Sequence, residues 1–267
     1  MDRATFEPKI RSRKQRILRA YRRSIKAPVK MMHKLQGYDN SQAILIEEYK
    51  AIYFQIPKVA SSSLKRLLKE EMKLNGLAPH ATRFPVIDYE KLDAGFYTNY
   101  FKFCFVRNPW KRLVSCYHAK IINSQWNINE TFQTKCLYYV MPKSASSGYH
   151  RLASLPVINK HMSFDEFINA VANIPDDFAN KHFRSQYTFI HDMQGELLVD
   201  YIGRLESFND DFQYVARQIG LNYESKKHKP ALKRRHYKDY YNKDTWDQVA
   251  QRYQQDIELL GYSDCQY

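Results

Sequence analysis

Two groups of residues in this chain have the types and spacing to hold oxyanions. The first is Lys58-Val59-Ala60-Ser61-Ser62-Ser63, a lysine followed by three serines. The second begins at Arg107 and reaches Ser115 eight residues on, through Asn108 and Pro109. Lysine and arginine bring charge, hydroxyls bring short donors, and an arginine fork can grip a phosphate or sulfate at two oxygens. Histidine suits proton transfer near neutral pH, and the candidates are His80, in a loop with two prolines, and His182, in NKHFRSQYTFI. Each feature alone also has an ordinary explanation. A lone loop histidine is usually a surface residue, and an arginine near a serine needs no ligand.

The elements that must position these residues are legible around them. AIYFQIP (51–57) is a short apolar run bounded by Pro57 and reads as a buried strand. Leu64, Leu67, Leu68 and Met72 then fall at helical spacing, with Gly76 placed as a stop. A helix starting at the lysine–serine loop turns its unpaired N–H groups and the positive end of its dipole toward the strand tip. The loop is then a cradle for a tetrahedral oxyanion. An ordinary strand–turn–helix with Ser61 or Ser62 as N-cap fits this stretch equally well. FKFCFV (101–106) reads as a second strand, Asn108 as N-cap and Pro109 as the first helical residue. Leu113, Val114, Tyr117 and Ile121 carry that helix on, which puts Ser115 about two turns inside it.

Elsewhere, a short strand is expected within Ile44–Tyr53, and a proline-containing loop over 77–92. Residues 122–160 are polar and weakly periodic, an insertion expected to lie over the active face. Ser163 and Glu166 form a capping box opening a helix through Ala172. LLVDYIGRLE (197–206) is a third strand, and Asn209 is expected to cap a helix lined by Phe212, Val215 and Ile219 up to Gly220. Residues 225–238 make a basic loop. Asp244 is expected to cap one last helix with Trp246, Val249, Tyr253, Ile257 and Leu260 inward, stopped by Gly261. Strands alternating with helices indicate an α/β class, a P-loop-like three-layer fold with a central, mainly parallel sheet flanked by helices.

Charge divides the chain unevenly. The formal net charge is +14, and residues 1–35 alone account for +10 of it. Residues 1–41 therefore read as a basic arm, with Ile10, Ile17, Leu18, Tyr21 and Ile25 on one helical face of 9–26, and 42–267 as the main domain. An anionic partner or a membrane surface fits that arm, and packing on the domain's own side fits it equally. The four cysteines show no C-x-x-C spacing and no metal-ligand pattern, so no metal is expected. No apolar run is long enough to span a bilayer and no signal peptide opens the sequence, which predicts a cytoplasmic setting.

Taken together, the two anion motifs resemble those of sulfotransferases. Pro57 to Lys65 is similar to their 5′-phosphosulfate loop, and RNPWKRLVS (107–115) to their 3′-phosphate motif. YIGRLESFNDDF (201–212) and YYNKDTWDQVAQRYQQDIELLGY (240–262) resemble the carbohydrate branch related to chondroitin and dermatan 4-O-sulfotransferases. The resemblance spans about residues 50–262. It implies transfer of a sulfuryl group from 3′-phosphoadenosine 5′-phosphosulfate to a carbohydrate hydroxyl, without a metal. On the same ground Lys58, Val59, Ala60 and Ser61–Ser63 hold the phosphosulfate, and Arg107 and Ser115 the 3′-phosphate. Arg234 and Arg235 add further donor contacts. His80, between the two motifs, is the favoured base and His182 its competitor. Where relatives carry a cysteine pair before the third strand, this chain reads YTFIHDMQG. Two other classes are weighed. A P-loop kinase lacks support because the loop has no glycine and no G-x-x-x-x-G-K-[ST]. A non-catalytic binder of acidic glycan or nucleic acid would use the basic arm, but no nucleic-acid motif is present, and nucleic acid is not an expected partner.

Overall fold

The computed structural model describes residues 42–71, 84–88, 97–123, 156, 158–176, 179–192, 195–223 and 235–267. The basic segment 9–26, His80, Arg234 and most of the 122–160 stretch lie outside them. The described strands are β1 (Gln42–Ile46), β2 (Ala51–Phe54), β3 (Val86–Asp88), β4 (Phe101–Val106) and β5 (Tyr201–Arg204). The described α-helices are α1 (Ser61–Glu71), α2 (Pro109–Tyr117), α3 (Phe164–Ala172), α4 (Phe208–Ile219), α5 (Lys243–Arg252) and α6 (Gln254–Leu259).

The five strands form one sheet in the order β3-β1-β2-β4-β5. Pairs β2–β4 and β4–β5 are parallel, while β1 runs antiparallel to both β2 and β3. The expectation of a mainly parallel sheet is thus corrected to a mixed one: β1 opposes the other four strands, so the pairings divide evenly. The reason is the connection. Only Glu47–Lys50 separate β1 from β2, and Lys50 turns the chain in the left-handed region (φ 44°). A parallel pair needs a crossover of about a dozen residues or more. β3 also corrects the sequence reading, which placed a loop there. Pro85 O accepts from Leu45 N–H (2.8 Å), and Phe84 and Ile87 are buried.

Every residue of β2, and Phe103 to Val106 of β4, is wholly buried, so both faces of the central strands are covered. Leu64 and Leu68 of α1 and Phe212, Val215 and Ala216 of α4 belong to this core. Tyr53 stacks on Phe103 (centroids 5.4 Å), and Phe105 meets Phe208 and Phe212 at 5.1 and 6.4 Å. Gly203 pairs with Phe105, and a Cβ at that position would lie 2.6 Å from the phenyl ring. A second core joins α2, α3 and α5, where Trp110 stacks on Trp246 at 4.4 Å.

Several helix starts follow the sequence reading. Asn108 caps α2 by accepting from Lys111 N–H (3.0 Å), with Pro109 next, and Ser163 and Glu166 form the capping box of α3. Others do not. Ser207 precedes α4, so Asn209 lies inside the helix. Asn242 and Thr245 cap α5 reciprocally, so Asp244 is not the cap. The last helix breaks at Tyr253 into α5 and α6, and α2 ends at Tyr117 in a wide π turn over His118–Ile122.

Candidate active site

Because β2 and β4 are parallel neighbours, in register from Ala51↔Phe101 to Phe54↔Cys104, the loops that leave them emerge side by side at one sheet edge. That edge carries both anion motifs. Arg107 Nη1 donates to Lys58 O (3.3 Å), joining the second motif to the first.

The first loop owes its shape to two residues in the left-handed region, Lys58 (φ 72°) and Ala60 (φ 59°). For residues other than glycine that conformation costs about 1–2 kcal/mol each, and such strain gathers where a site requires it. Ser61 Oγ donates to Ile56 O (2.6 Å) and accepts from the buried Tyr53 hydroxyl (3.3 Å). Its hydroxyl therefore braces the loop from within. The first helical bond runs from Leu64 N–H to Ala60 O (3.0 Å), which puts Ala60, not Ser61 or Ser62, at the capping position. A methyl side chain cannot accept from the N–H groups of Ser61, Ser62 and Ser63, and the first turn of α1 holds no acidic residue. A helix start so arranged is chemically an anion receptor. Val59 is buried at the base of the loop, while Ser62 and Ser63 are exposed.

The second motif is fixed from behind. Arg107 exchanges main-chain bonds with the buried side chain of Gln186, N–H to Oε1 at 2.9 Å and Nε2 to O at 2.8 Å. Glu206 Oε1 accepts from Asn108 N–H (3.1 Å). Ser115 is half-buried on α2. Arg112, on the same helix, is 1% exposed and donates to Pro57 O (3.1 Å), Arg184 O (2.7 Å) and Lys181 O (3.3 Å).

His182 lies on the turn that Arg112 grips. Its ring Nδ1 and its backbone N both contact Asn180 Oδ1, at 2.6 and 3.0 Å, so Nδ1 carries the proton in that bond. Burial and then the charges of Lys120, Lys181, Lys58 and Arg112 push its pKa down to about 3. Lys58 is itself lowered, by burial first and by Arg107 and Arg112, with the Cys116 sulfur opposing. Lys120 is lowered by burial and by Lys58 and Lys181, Lys65 by burial and by Lys69 and Lys181. The structure thus gathers Lys58, Arg107, Arg112, Lys120, Lys181 and His182 into one field: neighbouring cations join burial in lowering Lys58, Lys120 and His182, while burial alone lowers Arg112. Such mutual repulsion is tolerable only where an anion is due.

Behind the turn, Asp256 is wholly buried and accepts from Gln186 and Tyr187 N–H, both at 2.8 Å. Burial raises its pKa to about 6, against those bonds and Arg112. Arg252 holds Asp176 (2.7 Å) and Ser185 Oγ (3.0 Å). Arg235 is exposed and committed to Asp239 O and the face of Tyr240, with the guanidinium 4.9 Å from the ring.

Of the residues expected from sequence, Lys58 to Ser63, Arg107 and His182 therefore fall into one region. Ser115 sits on α2 and Arg235 in the segment before α5. Sequence reasoning passed over Arg112, Asn180, Lys120, Lys181 and Asp256. Arg112 carried a signal, lying between Arg107 and Ser115; the others came together only through packing. Among the described residues no group of His, Cys, Asp and Glu could hold a metal ion, and no helix is long and apolar enough to cross a membrane.

Two strand-tip loops joined by the Arg107–Lys58 bond, with a helix start that lacks a side-chain cap at Ala60, make up the candidate site of this α/β protein. The model of the sulfotransferase family matches residues 41–263, and the chain belongs to that family. It is 23% identical over 203 residues to carbohydrate sulfotransferase 11 of Rattus norvegicus, covering 69% of this chain and 54% of that protein. It is 27% identical over 192 residues to carbohydrate sulfotransferase 14 of Danio rerio (67% and 48% covered). To carbohydrate sulfotransferase 9 of Homo sapiens it is 26% identical over 234 residues (81% and 48%). The chain spans about half the length of these curated relatives. No solved structure matches it at a comparable level.

Proposed function

We propose that the chain transfers a sulfuryl group from 3′-phosphoadenosine 5′-phosphosulfate to a carbohydrate hydroxyl. The observation that carries this reading is the cation field at the two strand tips, opened by an uncapped helix. The donor supplies the activated sulfuryl group. Lys58 and the N–H groups of Ser61–Ser63 are suited to its phosphosulfate, where charge gathers on the outer sulfuryl oxygens and the leaving phosphate. Arg107 and Ser115 are suited to the 3′-phosphate, with Arg234 and Arg235 as further contacts. In the transfer the sulfur–oxygen bond to the phosphate breaks and one to the acceptor oxygen forms. The acceptor's proton passes to a base, and adenosine 3′,5′-bisphosphate leaves.

His80 is the proposed base on its place between the motifs, with His182 orienting the acceptor. One observation favours exchanging these roles: His182 lies within the same group of cations as Lys58, with its tautomer set by Asn180. The carbohydrate acceptor is supported by the names of the relatives. The test is incubation with radiolabelled donor and a panel of glycans, polysaccharides and glycolipids, alongside thermal melts. Label is expected in one carbohydrate class. Adenosine 3′,5′-bisphosphate should raise Tm well beyond AMP, and Arg107→Ala should erase the difference, since a ligand bound only to the folded state stabilises it by mass action. Equal stabilisation by both nucleotides would overturn the donor assignment.

A further inference from the structure

We propose that Arg112 is a positioning residue of the transfer reaction, fixing the gap between the loop of Lys58 and the turn of His182. The inference rests on the donor reading above. Its ground is the pattern of the three guanidinium bonds. Nε takes Pro57 O, next in sequence to Lys58. Nη1 takes Arg184 O and Nη2 takes Lys181 O, on either side of His182. One planar group thus bonds two segments more than a hundred residues apart in the chain, and it does so while 1% exposed. Arginine suits this because its donors diverge in a fixed fork, whereas the donors of lysine radiate from one atom.

Both segments have other anchors, so this grip is not what keeps either in place as a fold element. The turn is tied behind by Asp256 to Gln186 and Tyr187, by Tyr253 OH to Phe183 O, and by Ser185 N–H to Asp176. The loop is braced by Ser61 on Ile56 and by Tyr53 on Ser61. What Arg112 adds is the direct link across the gap in which donor and acceptor must meet. A misplacement of about 1 Å there can lower a rate about a hundredfold. The same burial also sets its charge beneath the anion loop, where it acts on both Lys58 and His182. Lysine would retain that charge and lose the geometry, so the two effects separate.

The test is Arg112→Lys, first confirmed as folded by its melting transition. Adenosine 3′,5′-bisphosphate should bind within about fivefold of wild type, because charge and anion loops are retained, while kcat/KM for the acceptor at saturating donor should fall about 10²-fold. In a His182→Ala background the same substitution should cost less than about threefold, since the turn then carries no group to position. In Arg112→Ala, guanidinium ion added at millimolar levels should restore acceptor kcat/KM saturably, and methylammonium should not.

A folded Arg112→Lys with acceptor kcat/KM within threefold of wild type overturns the proposal. So does an equal loss with and without His182, or a loss confined to nucleotide affinity. Failure of both Arg112→Lys and Arg112→Gln to fold overturns it too, because the grip would then hold the fold and not the gap. A wild-type protein that moves no sulfuryl group in any assay refutes the donor reading instead.

Discussion

His182 is expected to stay neutral far into the acid range in the free protein and to regain basicity when a nucleotide bisphosphate binds. Its pKa falls from 6.5 to about 3, through burial first and then Lys120, Lys181, Lys58 and Arg112. At about 1.4 kcal/mol per unit, the neutral form is favoured by about 5 kcal/mol. The consequence for stability has a definite sign. The folded pKa lies below the unfolded one, so this site's contribution is whole above about pH 6.5 and is lost as the pH falls toward 3. By pH 5 the loss is about 2 kcal/mol. Adenosine 3′,5′-bisphosphate brings roughly three to four negative charges. It offsets the cations but not the burial, so the pKa should rise by about one unit or more without passing the ordinary value. Long-range 1H–15N spectra of protein labelled at histidine, with His182→Gln for assignment, give the titration directly. A free-protein pKa near 6.5 would refute the assigned environment. A value that stays low while the bisphosphate demonstrably binds would separate His182 from the anion site.

Three further outcomes follow from the same geometry. His80→Ala should lower kcat by about 10²–10⁴-fold with donor affinity near wild type, and His182→Ala should mainly raise the acceptor KM; steady-state kinetics showing the reverse exchange their roles. Asp256, wholly buried with its pKa raised to about 6, should favour the folded state as the pH drops from about 6 to 4, by about 2 kcal/mol. Urea melts across that range should show this gain in wild type relative to Asp256→Asn, and a pH-independent difference would count against it. Gly203→Ala sets a methyl 2.6 Å from the Phe105 ring and should cost about 1–3 kcal/mol, read as a lower urea midpoint.

The sequence by itself determined the parts that obey local rules. The β2 and β4 runs, the Asn108–Pro109 helix start and the Ser163–Glu166 capping box depend on neighbours within a few residues, and each stands where its pattern placed it. Local chemistry also left real ambiguities. Asn242 and Asp244 are both good caps, and the reciprocal bonds between Asn242 and Thr245 make Asn242 the one used. The lysine–serine loop invited a serine cap. The folded chain spends the Ser61 hydroxyl on Ile56 O and puts Ala60 at the cap, because Tyr53 beneath the loop needs an acceptor. Strand direction at β1 hung on the four-residue connection Glu47–Lys50.

The cation field belongs to the tertiary structure alone. Lys120 and Lys181 carry no motif, and no spacing relates them to Lys58. All three act on His182 because the fold brings the lysine loop, the π turn after α2 and the turn before Gln186 near one another. Electrostatic coupling depends on distance in space and on burial, and neither quantity is written in the order of the residues.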